Sequence, residues 1–227
     1  MLQAAVFDFD GVIVNSEPLH FAAFQQVLRP LGIDFTWDDY TVLYLGFDDR
    51  DVFRQAFRQA GRRVKHEELP ALIDAKARAF EALAEDRGAV PYPGVVELIR
   101  GLAREVPVAL CSGALRRDVE PILKKLGLWA SFNVLVTADD VPVSKPDPAS
   151  YVLAVLRLAD ASGCSIDPAR CVAVEDTPAG IEAASGAGLR VLAVANTYET
   201  GRLAGAARVV DSLAGVTPGD LARLIQG

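Results

Sequence analysis

Residues 2–15 read Leu-Gln-Ala-Ala-Val-Phe-Asp-Phe-Asp-Gly-Val-Ile-Val-Asn, an apolar run that ends in two carboxylates and a glycine. The Leu2–Phe9 segment shows little strict alternation, as expected of a strand covered on both faces. Asp8 sits between Phe7 and Phe9 inside that strand, where an unpaired charge is costly. Val106–Cys111, Val134–Thr137, Cys171–Val174 and Arg190–Ala195 have the same apolar character. Helical patterns separate them: Pro93–Arg104, Asp118–Leu126 ending at Gly127, Ala149–Leu158, and Pro178–Ala187. The last has Thr177 as N-cap, proline at its first position and Gly188 just past its end. This alternation predicts an α/β protein with a Rossmann-like core, a mostly parallel sheet flanked by helices.

One region interrupts the pattern. Residues 16–88 carry helical spacing throughout, over Leu19–Leu31, Trp37–Leu45, Asp51–Ala60 and Glu67–Glu85. They predict an all-helical cap domain inserted after the first strand, with residues 1–15 and 89–227 forming the core. No linker-like, low-complexity or repeated segment is present.

Composition excludes several classes. The 227 residues are 51% hydrophobic and 23% charged, the mix of a folded chain rather than a disordered one. A net charge of −7 argues against a nucleic-acid partner, whose phosphate backbone calls for clustered Lys and Arg. Cys111, Cys164 and Cys171 cannot all pair within one chain, and with His20 and His66 they form no zinc spacing. The N-terminus lacks a signal-peptide pattern, and no apolar run reaches the roughly 18–20 residues of a membrane span. A cytoplasmic protein without a membrane partner is expected, its oligomeric state left open.

Ligands of open α/β sheets gather at the carboxyl ends of the strands. Those ends carry Asp8-Phe9-Asp10-Gly11, Ser112-Gly113, Ser144-Lys145-Pro146 and Glu175-Asp176. Carboxylates from two strand ends can hold a hard cation such as Mg²⁺. One can attack phosphorus, and a second can serve as general acid and then base. A hydroxyl, a loop N–H and a lysine can bind phosphoryl oxygens. Acidic doublets are common in this chain, as at Asp38-Asp39, Asp48-Asp49 and Asp139-Asp140, and most suit solvated faces or turns. Glu175-Asp176 differs because it follows an apolar strand and precedes a well-capped helix.

Taken in order, Asp8-Phe9-Asp10-Gly11-Val12-Ile13, Cys111-Ser112-Gly113, Ser144-Lys145-Pro146-Asp147 and Val174-Glu175-Asp176-Thr177-Pro178-Ala179-Gly180 resemble the four motifs of the haloacid dehalogenase superfamily, nearly end to end. The nearest branch is similar to β-phosphoglucomutases and phosphoglycolate phosphatases with a helical cap. The resemblance implies a Mg²⁺-dependent phosphatase acting on a small phosphorylated metabolite, a sugar or organic-acid phosphate, through an aspartyl-phosphate. Asp8 would be nucleophile and metal ligand, and Asp10 general acid/base with its carbonyl on the metal. Asp176 would be a ligand, and Glu175 a ligand or a partner of the bound waters. Ser112, Gly113 and Lys145 would hold the phosphate. In the cap, the resemblance points to His20, Arg50 and Lys76 as substrate-binding, although composition alone leaves Lys76 facing water. Gly46-Phe47-Asp48-Asp49-Arg50 resembles the cap's substrate loop, but Asp49 stands where phosphoglucomutases place an arginine. A hexose-phosphate mutase, with a sugar hydroxyl replacing water, is the alternative.

Two rivals share these residues. Cys111 and Arg117 have the Cys-x5-Arg spacing of a cysteine-dependent phosphatase. A receiver-like signalling domain would also combine an acidic cluster, a hydroxyl and a lysine, but such domains are about half this length and lack a cap.

Overall fold

The computed structural model describes residues 1–45 and 47–226. Two compact units form, Met1–Asn15 with Val90–Gly227, and Ser16–Ala89.

The larger unit is built on a six-stranded, all-parallel sheet in the order β3-β2-β1-β4-β5-β6. The strands are β1 (Ala4–Phe7), β2 (Val108–Cys111), β3 (Val134–Val136), β4 (Cys171–Glu175), β5 (Arg190–Val194) and β6 (Arg208–Val210). Ala4, Val6, Ala109, Cys111, Cys171, Ala173, Val191 and Ala193 supply one buried face of small side chains. Against that face pack Tyr151, Ala154, Val155 and Leu158 of α7 (Ala149–Ser162) and Ile181, Ala183 and Ala184 of α8 (Pro178–Gly186). Ala5, Phe7, Val108, Leu110, Val172 and Val174 alternate with the first set, so they point to the opposite face, and they too are fully buried. Burial on both faces is why the strands read as continuous apolar runs. The remaining helices of this unit are α5 (Val95–Leu102), α6 (Arg116–Lys125) and α9 (Pro218–Leu224).

Three departures from the sequence expectations have local causes. β1 ends at Phe7, so Asp8 lies just beyond the strand rather than within it. The Asp8 amide still donates to the Val174 carbonyl (3.0 Å), after which the chain turns through Gly11 at φ +79° and Ile13 N–H returns to the Phe9 carbonyl. β6 and α9 carried no recognisable pattern, because β6 is three residues long with Arg208 exposed, and α9 only seven. Gly127 and Gly188 do end their helices in the left-handed region. After each, the next amide reaches back to the last turn, Leu128 N–H to Leu123 and Leu189 N–H to Ala184.

The smaller unit consists of α1 (Glu17–Leu28), α2 (Trp37–Leu43), α3 (Asp49–Gln59) and α4 (Leu69–Arg87). Phe24, Leu28, Phe35, Tyr40, Tyr44, Phe53 and Phe57 form its aromatic-rich core. Among the described residues, no helix is long and apolar enough to cross a membrane.

Candidate active site

β1 lies between β2 and β4, with Phe7 in register with Leu110 on one side and Val174 on the other. The carboxyl ends of these strands therefore bring Asp8, Ser112 and Glu175-Asp176 to one edge of the sheet. Lys145 joins them from the segment before α7. Its Nζ lies 2.6 Å from Asp8 Oδ1, 2.6 Å from Glu175 Oε1, 3.1 Å from the Cys111 carbonyl and 3.4 Å from Tyr151 Oη.

Glu175 is fully buried and accepts on both oxygens. Oε1 takes Lys145 and the Tyr151 hydroxyl (2.8 Å). Oε2 takes the amides of Asp176 (3.0 Å) and Thr177 (3.2 Å) and the Thr177 hydroxyl (3.2 Å). The same Thr177 hydroxyl accepts from Gly180 N–H (3.0 Å) and caps α8, as its position in the sequence predicts. Gly180 is required by space, because a Cβ there would overlap the Glu175 carboxylate. The residue is thus an anchor for Lys145 and for the first turn of α8.

Asp8, Glu175 and Asp176 are buried, and each offers a carboxylate oxygen within 4.8 Å of the others. Asp8 and Glu175 share the Lys145 ammonium, with Asp176 close to both carboxylates. Burial pushes the Asp8 carboxyl up to about 8; Lys145 opposes this, while Glu175 and Asp10 add to it. Burial also works against charge on Glu175, but Lys145 and the donors around it outweigh that and hold it below its ordinary value. Burial acts to lower Lys145, yet Asp8 and Glu175 hold it well above its ordinary value. The ammonium–Glu175 pair is thus satisfied, and Asp8 is left short of positive charge. A hard, oxygen-preferring cation fits that deficit and that donor set. Gly11 leaves room for the Asp176 carboxylate, which a Cβ at that position would overlap.

The other expected residues are placed as follows. Asp10 is partly exposed in the loop after β1, in an isolated bridge with Val14, and its carboxylate acts on Asp8. The loop is tied to the segment after β5 by Asn196, whose Nδ2 donates to the Gly11 carbonyl (2.7 Å). Ser112 is buried, and its hydroxyl accepts from Ala114 N–H (3.0 Å). Gly113 is exposed, with open space where a side chain would stand. Cys111 faces the sheet's small-residue core, and burial pushes its thiol up to about 12, so no thiolate forms near neutral pH. This removes the cysteine-dependent rival.

His20, Arg50 and Lys76 lie in the smaller unit. Lys76 is fully buried rather than facing water, which corrects the expectation from composition. Its Nζ is 2.7 Å from Asp49 Oδ1 and 2.8 Å from His20 Nδ1, between the rings of Phe24 and Phe80. A buried ammonium needs such compensation, since its desolvation costs several kcal/mol, on the order of what a good ion pair returns. Arg50 pairs with buried Asp48 at 2.6 Å. The Asp48-Asp49 doublet, which the sequence grouped with acidic pairs that mostly suit solvated faces or turns, makes ion pairs within this unit. Gly46, which begins that loop, lies outside the described residues.

Tyr151 was not singled out from the sequence. It sits six residues after Lys145, fully buried under the ammonium, which lies 5.0 Å from its ring centroid. The only available signal was a polar-tipped aromatic on the core face of α7, where a hydroxyl requires a partner.

This parallel sheet with an acidic cluster and one lysine at its carboxyl edge is the core of a phosphoryl-transfer hydrolase of the haloacid dehalogenase type. A family model described as haloacid dehalogenase-like hydrolase matches residues 5–194, and the chain belongs to that family. It is 30% identical over 212 residues to a phosphorylated carbohydrates phosphatase of Thermotoga maritima, covering 88% of this chain and 89% of that protein. It is 30% identical to validoxylamine A 7'-phosphate phosphatase of Streptomyces hygroscopicus, covering 90% of this chain and 91% of that protein. The crystal structure of CbbY from Rhodobacter sphaeroides in complex with phosphate superposes with a TM-score of 0.86 at 28% identity, covering 97% of this chain and 99% of that one. A β-phosphoglucomutase of Clostridium difficile, 21% identical with a TM-score of 0.85, shares the fold.

Proposed function

We propose that this chain hydrolyses the phosphate monoester of a small sugar or organic-acid phosphate through an aspartyl-phosphate on Asp8. The observation that carries the reading is the single ammonium of Lys145 set between Asp8 and Glu175, 2.6 Å from each, beside Asp176. Lys145 holds one oxygen of Asp8 and leaves the other to attack phosphorus in line with the leaving oxygen. As the ester P–O bond breaks, Asp10 donates a proton to the departing alkoxide. Asp10 then takes a proton from the water that attacks the aspartyl-phosphate, releasing orthophosphate and restoring Asp8. Lys145, the Ser112 hydroxyl and the open backbone at Gly113 receive the phosphoryl oxygens. Asp8 and Asp176 would hold Mg²⁺ together with Asp10. Bound there, the ion would supply positive charge to offset the phosphoryl oxygens and the excess of carboxylates. Glu175 supports the site without ligating, because both its oxygens are engaged.

The relatives' names support this substrate class: one is a phosphatase of phosphorylated carbohydrates, and a second CbbY structure contains xylulose-(1,5)bisphosphate. Hydrolysis is preferred over transfer between sugar hydroxyls because the loop arginine, Arg50, is engaged by Asp48, and Asp49 by Lys76. A panel of phosphorylated metabolites with Mg²⁺, including phosphoglycolate and β-glucose 1-phosphate, tests the reading. Orthophosphate release that stops with a chelator and returns with Mg²⁺ is expected. Activity that survives complete metal removal, or that survives Asp8→Asn, would overturn it.

A further inference from the structure

A cavity of about 740 Å³ opens on the smaller unit between α3 and the segment that follows it. Its lining includes Arg54, Arg58, Arg62 and Arg63, with Asp51 the one acidic residue among the described residues that line it. That is a concentrated positive region in a chain whose net charge is −7.

The backbone builds this concentration. Arg54 and Arg58 are one helical turn apart on α3 and both exposed, a like-charged spacing that does not favour the helix. The helix ends at Gly61, φ +68°, with Gly61 N–H on the Arg58 carbonyl (3.0 Å) and Arg62 N–H on the Phe57 carbonyl (2.8 Å). This closing motif folds the chain back, so Arg62 and Arg63 join the last turn instead of leading away from it. Arg62 is held in place, its Nη1 donating to the Leu31 carbonyl (2.8 Å) and its guanidinium 5.0 Å from the Phe57 ring centroid. Arg54 pairs with Asp51 (3.1 Å), and Arg58 with the Gln55 side chain. Each guanidinium carries five N–H donors, and these contacts use a fraction of them. Arg63 is exposed and has no hydrogen bond or ion pair among the described residues.

We infer that this cavity binds a small anion carrying two or more linked phosphoryl groups. Its volume is in the range of small-ligand sites. Guanidinium forks match phosphate oxygens bidentately, and four arginines lining one cavity favour a chain of phosphates over a single one. None of the lining residues belongs to the acidic cluster, so the inference does not depend on the proposed hydrolysis.

The test uses the full-length protein in a chelating buffer, which prevents metal–polyphosphate complexes. Calorimetric titration with inorganic tripolyphosphate is compared with orthophosphate. The expected result is tripolyphosphate binding at least about tenfold tighter than orthophosphate, and weakening as salt rises. Arg58→Ser with Arg63→Ser should reduce tripolyphosphate affinity about tenfold, the loss expected from two exposed charge contacts. Orthophosphate binding should stay unchanged, as should hydrolysis of p-nitrophenyl phosphate assayed separately with Mg²⁺ and no chelator. Equal affinity for the two anions, or tripolyphosphate affinity unaltered in the double variant, would overturn the inference. Arg54→Ser alone provides the same test with a smaller change, in case the double variant is unstable.

Discussion

Glu175→Gln separates an anchoring role from a ligating one. The native carboxylate accepts five hydrogen bonds, two on Oε1 and three on Oε2, from Lys145, Tyr151, Asp176 and Thr177. A glutamine has one oxygen and one NH₂, so one set of donors must face another donor. With the NH₂ toward the loop, the amides of Asp176 and Thr177 lose their acceptor. With the NH₂ toward Lys145, the ammonium loses a charged acceptor and keeps Asp8, the Cys111 carbonyl and the longer contact to Tyr151 Oη, while the Tyr151 hydroxyl can rotate to accept. A buried group left unpaired costs about 1–3 kcal/mol, more when charged, so either orientation loses about 3 kcal/mol. For a chain of this length that corresponds to a fall in Tm of roughly 6–12 °C. Thermal unfolding and a Mg²⁺ titration, both on purified protein, measure the two quantities. An anchor predicts the fall in Tm with Mg²⁺ affinity weakened less than about tenfold, a change below about 1.4 kcal/mol. Unchanged Tm together with abolished Mg²⁺ binding would refute the reasoning and make Glu175 a direct ligand.

Tyr151→Phe keeps the ring under Lys145 and deletes the hydroxyl that shares Glu175 Oε1 with it; kcat should fall about tenfold, with KM nearly constant, in steady-state kinetics. Gly11→Ala forces a Cβ into the Asp176 carboxylate at a left-handed position; denaturant unfolding should show a loss of about 2 kcal/mol or more, and activity should vanish. At the other end of the chain, the Thr217 hydroxyl and amide, with Arg223, hold the Asp220 carboxyl below its ordinary value. Because the folded-state value is depressed, this contribution is complete above the ordinary Asp range, about pH 4, and is lost as the pH falls through the folded-state value. Asp220→Asn should therefore cost about 1 kcal/mol at pH 7, and parent and variant should converge in urea melts on acidification below about pH 4.

Strand–helix alternation was legible because it is local. Period-free apolar runs mark strands buried on two faces, and Thr177-Pro178 marks a helix start whatever surrounds it. Asp8, Ser112, Lys145 and Glu175-Asp176 stood out by position at the ends of such runs. β6 escaped because three residues at a half-buried edge carry no period. The burial of Lys76 escaped because its partners lie on other helices, Asp49 on α3 and His20 on α1.

The sequence alone determined the α/β class, since it follows from periodicity and capping, and it offered candidate groups for phosphoryl transfer by residue type. Only the tertiary structure decided how those groups share charge. Lys145 and Asp8 stand 137 positions apart along the chain yet 2.6 Å apart in space. Whether Glu175 ligates or anchors depends on five donors from four residues, and Tyr151 enters only through its approach to that carboxylate. Charge sharing among buried groups is set by distance and by the donors left over, and both exist only once the strands are in register.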